Sequence, residues 1–266
     1  MQKNARICLG LLLLFSAAGL LLRRIELNTA LDLSTMLMDF RPVSALLLIL
    51  SAGAAAVFLL LGRAWLSGAE AVSYERVFRG TGFLAVSAAA MLLMLAGSLL
   101  CLRSWKAAYG AERIFPAILA LLGVLAGASW FSLALESRRR EKASFFWAAL
   151  PVLFGAFFLV TYYKTCAHQP ALLYTLYPFL GLCAALAALH MAAGFTVGRV
   201  RYRWTFVCSC LGAYLCLISL FSAPDTASRL FLAALVLMLG AQAVCLLLPP
   251  LPPAPAPEPE AEETDQ

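Results

Sequence analysis

Residues 42–61 run for 20 positions without a charge. A helix of that length rises about 30 Å, the thickness of a bilayer's hydrocarbon core. Comparable apolar runs occupy 7–22, 81–102, 115–135, 143–163, 172–193, 204–222 and 230–248. A soluble fold has no means of covering them, because 63% of the 266 residues are hydrophobic and only 13% are charged. Soluble domains carry roughly 25% charged residues. In lipid every backbone N–H and C=O must be satisfied within the segment, so each run reads as a helix. The fold class is therefore all-α: a polytopic transmembrane helical bundle of about eight spans over 1–248. Residues 249–266 differ in kind. They hold seven prolines and the acids Glu258, Glu260, Glu262, Glu263 and Asp265, with no basic residue. Such a segment buries too little apolar area to fold and reads as a disordered Pro/Glu-rich tail.

The hairpin over 143–195 orients the rest. Arg138, Arg139, Arg140 and Lys142 precede it, and Arg199, Arg201 and Arg203 follow its return. Counted on alternate sides of eight spans, the side of the amino terminus carries 12 Lys and Arg and the opposite side 8. The positive-inside bias then places both termini in the cytoplasm of a multi-pass cell-membrane protein. Trp65, Trp105, Trp147 and Trp204 fall at or near span boundaries, where amphipathic rings prefer to sit. The net charge of +6 does not signal nucleic acid, because its basic residues lie in short clusters between apolar runs.

Some segments are less regular. The run over 7–22 has the flanks of a secretory signal, but Arg23 and Arg24 follow at once without a small-residue cleavage site, so it reads as an uncleaved first helix. At about 24 Å it is short, which requires a thinned bilayer or snorkelling arginines. Residues 25–41, with Leu33, Met36, Leu37 and Phe40 at helical spacing, read as a short helix in the interface plane. Gly123 and Gly127 make a GxxxG, and Gly181 with Ala185 a second small pair; both suit close helix packing inside the bundle.

Candidate chemistry is sparse. The densest polar group near the membrane is Tyr162, Tyr163, Lys164, His168, Tyr174 and Tyr177, at the far end of the hairpin. It reads as a candidate binding mouth, or as an aromatic belt around a solvated turn. Pro151 and Pro178 interrupt neighbouring helices, where freed carbonyls line a site or a plain kink results. None of the fourteen acidic residues falls inside a run as delimited above, which argues against ordinary proton or cation coupling. The eight cysteines lack metal-ligand spacing, and Cys101 and Cys166 are not expected to form a disulfide. No phosphate-binding loop, HExxH or GxSxG occurs. No cofactor, metal or catalytic residue is expected.

The first functional expectation is a non-catalytic membrane component, a subunit or regulator acting through helix packing. Its partners are the bilayer and either another membrane protein or a second copy of the chain. The alternative is a small-solute permease with its site between the fifth and sixth spans, near Tyr162, Tyr174, Tyr177 and Pro178. A third reading, a lipid-directed enzyme using His168 or His190 as base, has no carboxylate beside either histidine in sequence.

Overall fold

The computed structural model describes residues 2–29, 31–32, 37–38, 41–66, 72–78, 80–107, 114–139, 141–166 and 172–249. Among them, eight helices are long and apolar enough to cross a membrane. They are α1 (Gln2–Thr29), α2 (Pro42–Leu66), α4 (Thr81–Ala107), α5 (Ile114–Arg139), α6 (Phe145–Cys166), α7 (Leu172–Gly194), α8 (Tyr202–Ile218) and α9 (Thr226–Leu246). A single turn, α3 (Tyr74–Val77), lies in the connector before α4. The bundle has a near end, where α1 begins, and a far end, where it finishes.

Two boundaries differ from the sequence expectation. α1 does not stop at Arg23 but continues to Thr29, about 42 Å in all. The short span that would have strained the bilayer is therefore absent. Its extra turns survive because Arg23 finds a carboxylate on its own helix, described below. The expected in-plane helix over 25–41 is replaced. Residues 25–29 belong to α1, and the Thr29 hydroxyl donates to the Ile25 carbonyl at 2.7 Å instead of capping a new helix. Beyond it Leu31–Asp32 pairs antiparallel with Leu37–Met38. At the other boundary, α9 begins at Thr226, four residues before the apolar run. Asp225 caps it, accepting from the Ser228 N–H at 2.7 Å.

α8 is the hub. Its most apolar window is 72% buried, against 22% for α2 and 28% for α1. α7, α9, α2 and α1 all pack on it. In lipid the apolar side chains gain nothing by leaving water, so close van der Waals fit holds such a bundle together. Small residues supply that fit. A Cβ on Gly212 of α8 would stand 3.0 Å from the Ala185 nitrogen of α7, and one on Gly181 would stand 3.0 Å from the Cys216 nitrogen. The GxxxG of α5 serves α4 in the same way: a Cβ on Gly127 would lie 3.0 Å from Met94 Cβ. Both small-residue pairs are thus spent inside the chain. Where α4, α5, α6 and α9 meet, Phe231 fills the centre edge-on to Phe154 and Phe158, with ring centroids 5.2 and 5.5 Å away. At the near end Phe78, Phe195 and Tyr202 lock the connector before α4 to the α7–α8 turn.

Candidate functional site

The buried face of α1 runs Ala5, Cys8, Leu12, Ser16, Gly19, Arg23, Glu26, at helical spacings of three and four. It begins apolar and becomes polar toward the far end. Arg23 and Glu26 stand one turn apart and both are 0% exposed. Arg23 Nη1 donates to Glu26 Oε2 at 2.6 Å. Arg23 Nη2 crosses to α7 and donates to the Tyr174 carbonyl at 2.8 Å. That carbonyl is available for a reason written in the sequence. Its helical donor would be the N–H of residue 178, and Pro178 has none. The proline therefore frees an acceptor, and the guanidinium from α1 takes it. The Arg23 guanidinium carbon also lies 5.0 Å from the Tyr177 ring centroid and 5.8 Å from that of Tyr174, within cation–π range.

The centre is incompletely satisfied. Arg23 Nε, Glu26 Oε1 and Tyr177 Oη are buried without a hydrogen-bond partner among the described residues. Leaving such a group dry costs roughly 1–3 kcal/mol, and more when charged. Other unpartnered atoms, such as the hydroxyls of Ser44, Ser87 and Ser137, are single and lie on separate helices. Here one donor, one acceptor and one group able to be either belong to three side chains of one cluster.

Polarity continues inward from the pair. The Cβ position of Gly19, one turn from Arg23, is 3.1 Å from Tyr214 Oη, which makes room for that ring. Tyr214 Oη in turn shares a 3.0 Å hydrogen bond with Ser51 Oγ. Ser51 lies nine residues into α2, about 14 Å from its far end. A polar seam thus leads from the far end to about half the depth of a hydrocarbon core.

The expected mouth divides. Tyr174 and Tyr177 join Arg23 and Glu26 across the α1–α7 contact, not between the fifth and sixth spans. Tyr162 turns the other way: its hydroxyl donates to the Ser222 carbonyl at 3.4 Å, beside a cavity of about 110 Å³ that also touches Cys101 and Asp225. Tyr163 is exposed, its ring 6.2 Å from Phe179. The exposed Lys164 puts its ammonium 4.1 Å from the Phe115 ring centroid. His168 lies outside the described residues. Cys101 is a buried free thiol, and the Cys166 side chain is outside the description. His190 is exposed at the near end, on the rim of an α6–α7 groove.

Arg23 and Glu26 were missed in sequence, and the reading that no carboxylate sits inside a span is corrected by Glu26. Treating Arg23 and Arg24 as a stop closed the helix too early. The signal was present: positions 16, 19, 23 and 26 keep the three-four spacing of 5, 8 and 12. Among the described residues no cluster of three or more His, Cys, Asp or Glu side chains could hold a metal ion.

Eight apolar helices around so buried a polar centre define an integral membrane protein of the multi-pass helical class. Comparison with protein families, curated proteins and solved structures finds no match for the chain.

Proposed function

We propose that this membrane protein works by binding rather than by chemistry, and that it binds a small polar solute at Arg23, Glu26 and Tyr177 as a permease does. One observation carries the reading: three unpartnered polar atoms on a buried, charge-balanced cluster within a span. Ionisable groups in that position are rare and mark solute or ion pathways. The Arg–Glu pair is neutral overall, so the fitting solute is neutral overall too. It needs an acceptor for Arg23 Nε and a donor for Glu26 Oε1, as a polyol or a zwitterionic amino acid provides. The seam through Tyr214 and Ser51 supplies further hydroxyls toward mid-depth. The test is stopped-flow light scattering of proteoliposomes shocked with glycerol, erythritol, urea or glycine. Faster equilibration than in empty vesicles, lost in Tyr177→Phe, supports the reading. Rates equal to those of empty vesicles for all four would overturn it.

The second reading, a subunit or regulator of a membrane assembly, is favoured by the outer flank of α1 and α2. Leu14, Leu21, Ile49 and Leu60 are exposed there on the two least enclosed spans. Lipid or a partner helix covers such a flank. Recovery of one companion in constant proportion after gentle detergent extraction supports a partner, and recovery as a lone chain supports lipid. In either reading both termini are proposed to be cytoplasmic, from the basic-residue bias; reporter fusions at each terminus test it.

A further inference from the structure

At the near end, opposite the Arg23 centre, α6 and α7 part to leave a groove of about 1050 Å³. Its walls are apolar, with Phe146 and Leu153 of α6 64% and 54% exposed. Its rim is basic: Arg199 and Arg201 line it, with the exposed His190 below them. The loop that carries the arginines is fixed. The 3₁₀ turn Phe195–Val197 closes on Gly198, which takes a left-handed φ of 76°. The Arg199 N–H then donates to the Gly194 carbonyl at 2.9 Å. Any side chain at 194 would collide with this return, because a Cβ there would lie 2.7 Å from the Arg199 carbonyl oxygen. Phe195 is buried between Phe78 and Tyr202 and pins the turn from beneath. Neither Arg199 nor Arg201 has a carboxylate partner among the described residues; the one ion pair there is Arg23–Glu26, at the other end.

We infer that this groove is a binding site for an anionic glycerophospholipid of the leaflet at the near end. The acyl chains lie along Phe146 and Leu153, and the headgroup phosphate lies between Arg199 and Arg201. Charge and shape select this occupant together. A guanidinium pair matches phosphate oxygens through paired N–H donors. The apolar wall directly below the pair needs hydrocarbon, not a soluble anion. The chain's own acidic tail is the competing occupant, since α9 finishes at the same end. That tail offers carboxylates, but from residue 254 onward its only apolar side chains are alanine and proline. It therefore fits the rim and leaves the wall bare.

Each Lys or Arg near an anionic surface contributes about fivefold in affinity, so two give a preference of about 25-fold. The full chain, delipidated in detergent, is titrated with dioleoyl phosphatidylglycerol and with dioleoyl phosphatidylcholine, and bound lipid is counted by native mass spectrometry. Preference for the anionic lipid is expected, lost in Arg199→Gln/Arg201→Gln and kept in Arg138→Gln/Arg139→Gln. The second pair is equally exposed at the same end but does not line the groove. Both pairs are on the surface, and unchanged melting in phosphatidylcholine verifies that both variants fold. Equal affinity for the two lipids, or a preference that survives Arg199→Gln/Arg201→Gln, overturns the inference. Anionic-lipid binding that emerges only after residues 250–266 are removed overturns it in favour of the tail.

Discussion

Replacing Glu26 with leucine tests whether the Arg23 centre is a true ion pair held inside the bundle. The substitution leaves Arg23 fully buried. It removes the 2.6 Å bond to Nη1 and leaves only the Tyr174 carbonyl and two ring faces to stabilise the charge. Breaking a buried pair on one side costs about 3–5 kcal/mol. For a chain of this size that is a fall of about 6–20 °C in the unfolding midpoint. The companion variant Arg23→Met/Glu26→Leu removes both charges and should recover most of the loss, because apolar replacement of a whole buried pair is often neutral or better. Recovery should stop short of full. Pro178 offers the Tyr174 carbonyl no N–H, so an orphan acceptor remains at a cost of about 1–3 kcal/mol. The assay is the fraction of monodisperse protein left after graded heating in detergent, read as a half-life where unfolding is irreversible. A midpoint for Glu26→Leu within about 2 °C of the parent would mean that the charges are hydrated, and would refute the reasoning. A double variant no more stable than Glu26→Leu would refute it also.

Other outcomes follow from single positions. Tyr177→Phe deletes an unpartnered buried hydroxyl, so without solute the midpoint should hold or rise; a loss beyond about 1 kcal/mol would mean that the hydroxyl has a strong partner. Gly212→Ala pushes a methyl into the Ala185 backbone of α7 and should cost about 1–3 kcal/mol, whereas Gly53→Ala meets nothing within 4 Å and should be neutral or better; equal effects in the same melt would contradict the α7–α8 contact. Burial, with Cys245 and Glu136 adding to it, holds the Tyr74 phenol above its ordinary value of about 10. The unfolded chain then binds fewer protons than the folded one above about pH 10, so this contribution is intact below that pH and lost as pH rises. Alkaline melts should fall less steeply for Tyr74→Phe than for the parent, and parallel curves would contradict the burial. The Cys8 and Cys210 sulfurs lie 3.9 Å apart across the α1–α8 contact, so copper phenanthroline should join them and peptide mass spectrometry should find the crosslink; its absence would count against the placement of α1.

The bundle was legible in the sequence because lipid leaves so few solutions. A charge-free run such as 81–102 has to be a helix, and α4 covers it with five further residues at one end. The small-residue pairs were legible for a related reason, since close packing requires Gly123, Gly127 and Gly181 wherever helices touch tightly. The polar centre was not legible, because it depends on contacts between distant segments. Nothing near Arg23 in sequence announces the Tyr174 carbonyl, which lies 151 positions away. Pro178 was recognised as an interruption, yet the acceptor it frees could be matched to a donor only once α1 was seen to lie beside α7. Tyr162 and Tyr177 looked alike in sequence and face different neighbours, because one turns to Ser222 and the other to Arg23.

The placement of Glu26 also bears on how α1 enters the membrane. An unpaired arginine in a span costs about 2.5–3.5 kcal/mol on insertion scales, less toward the ends. The acceptor on α7 is made long after α1, so it cannot offset that cost when α1 is first inserted. Glu26 can, because it is on the same helix and one turn away; α1 enters already carrying a neutral pair. The same pairing changes the orientation count. Arg23 is neutralised and enclosed, so it does not act as a free flanking charge. Setting it aside lowers the far-end total from 8 to 7 against 12 at the near end. The residue that looked like a stop signal is thus a pre-paired charge carried into the bundle, and its removal from the tally widens the bias that places the near end in the cytoplasm.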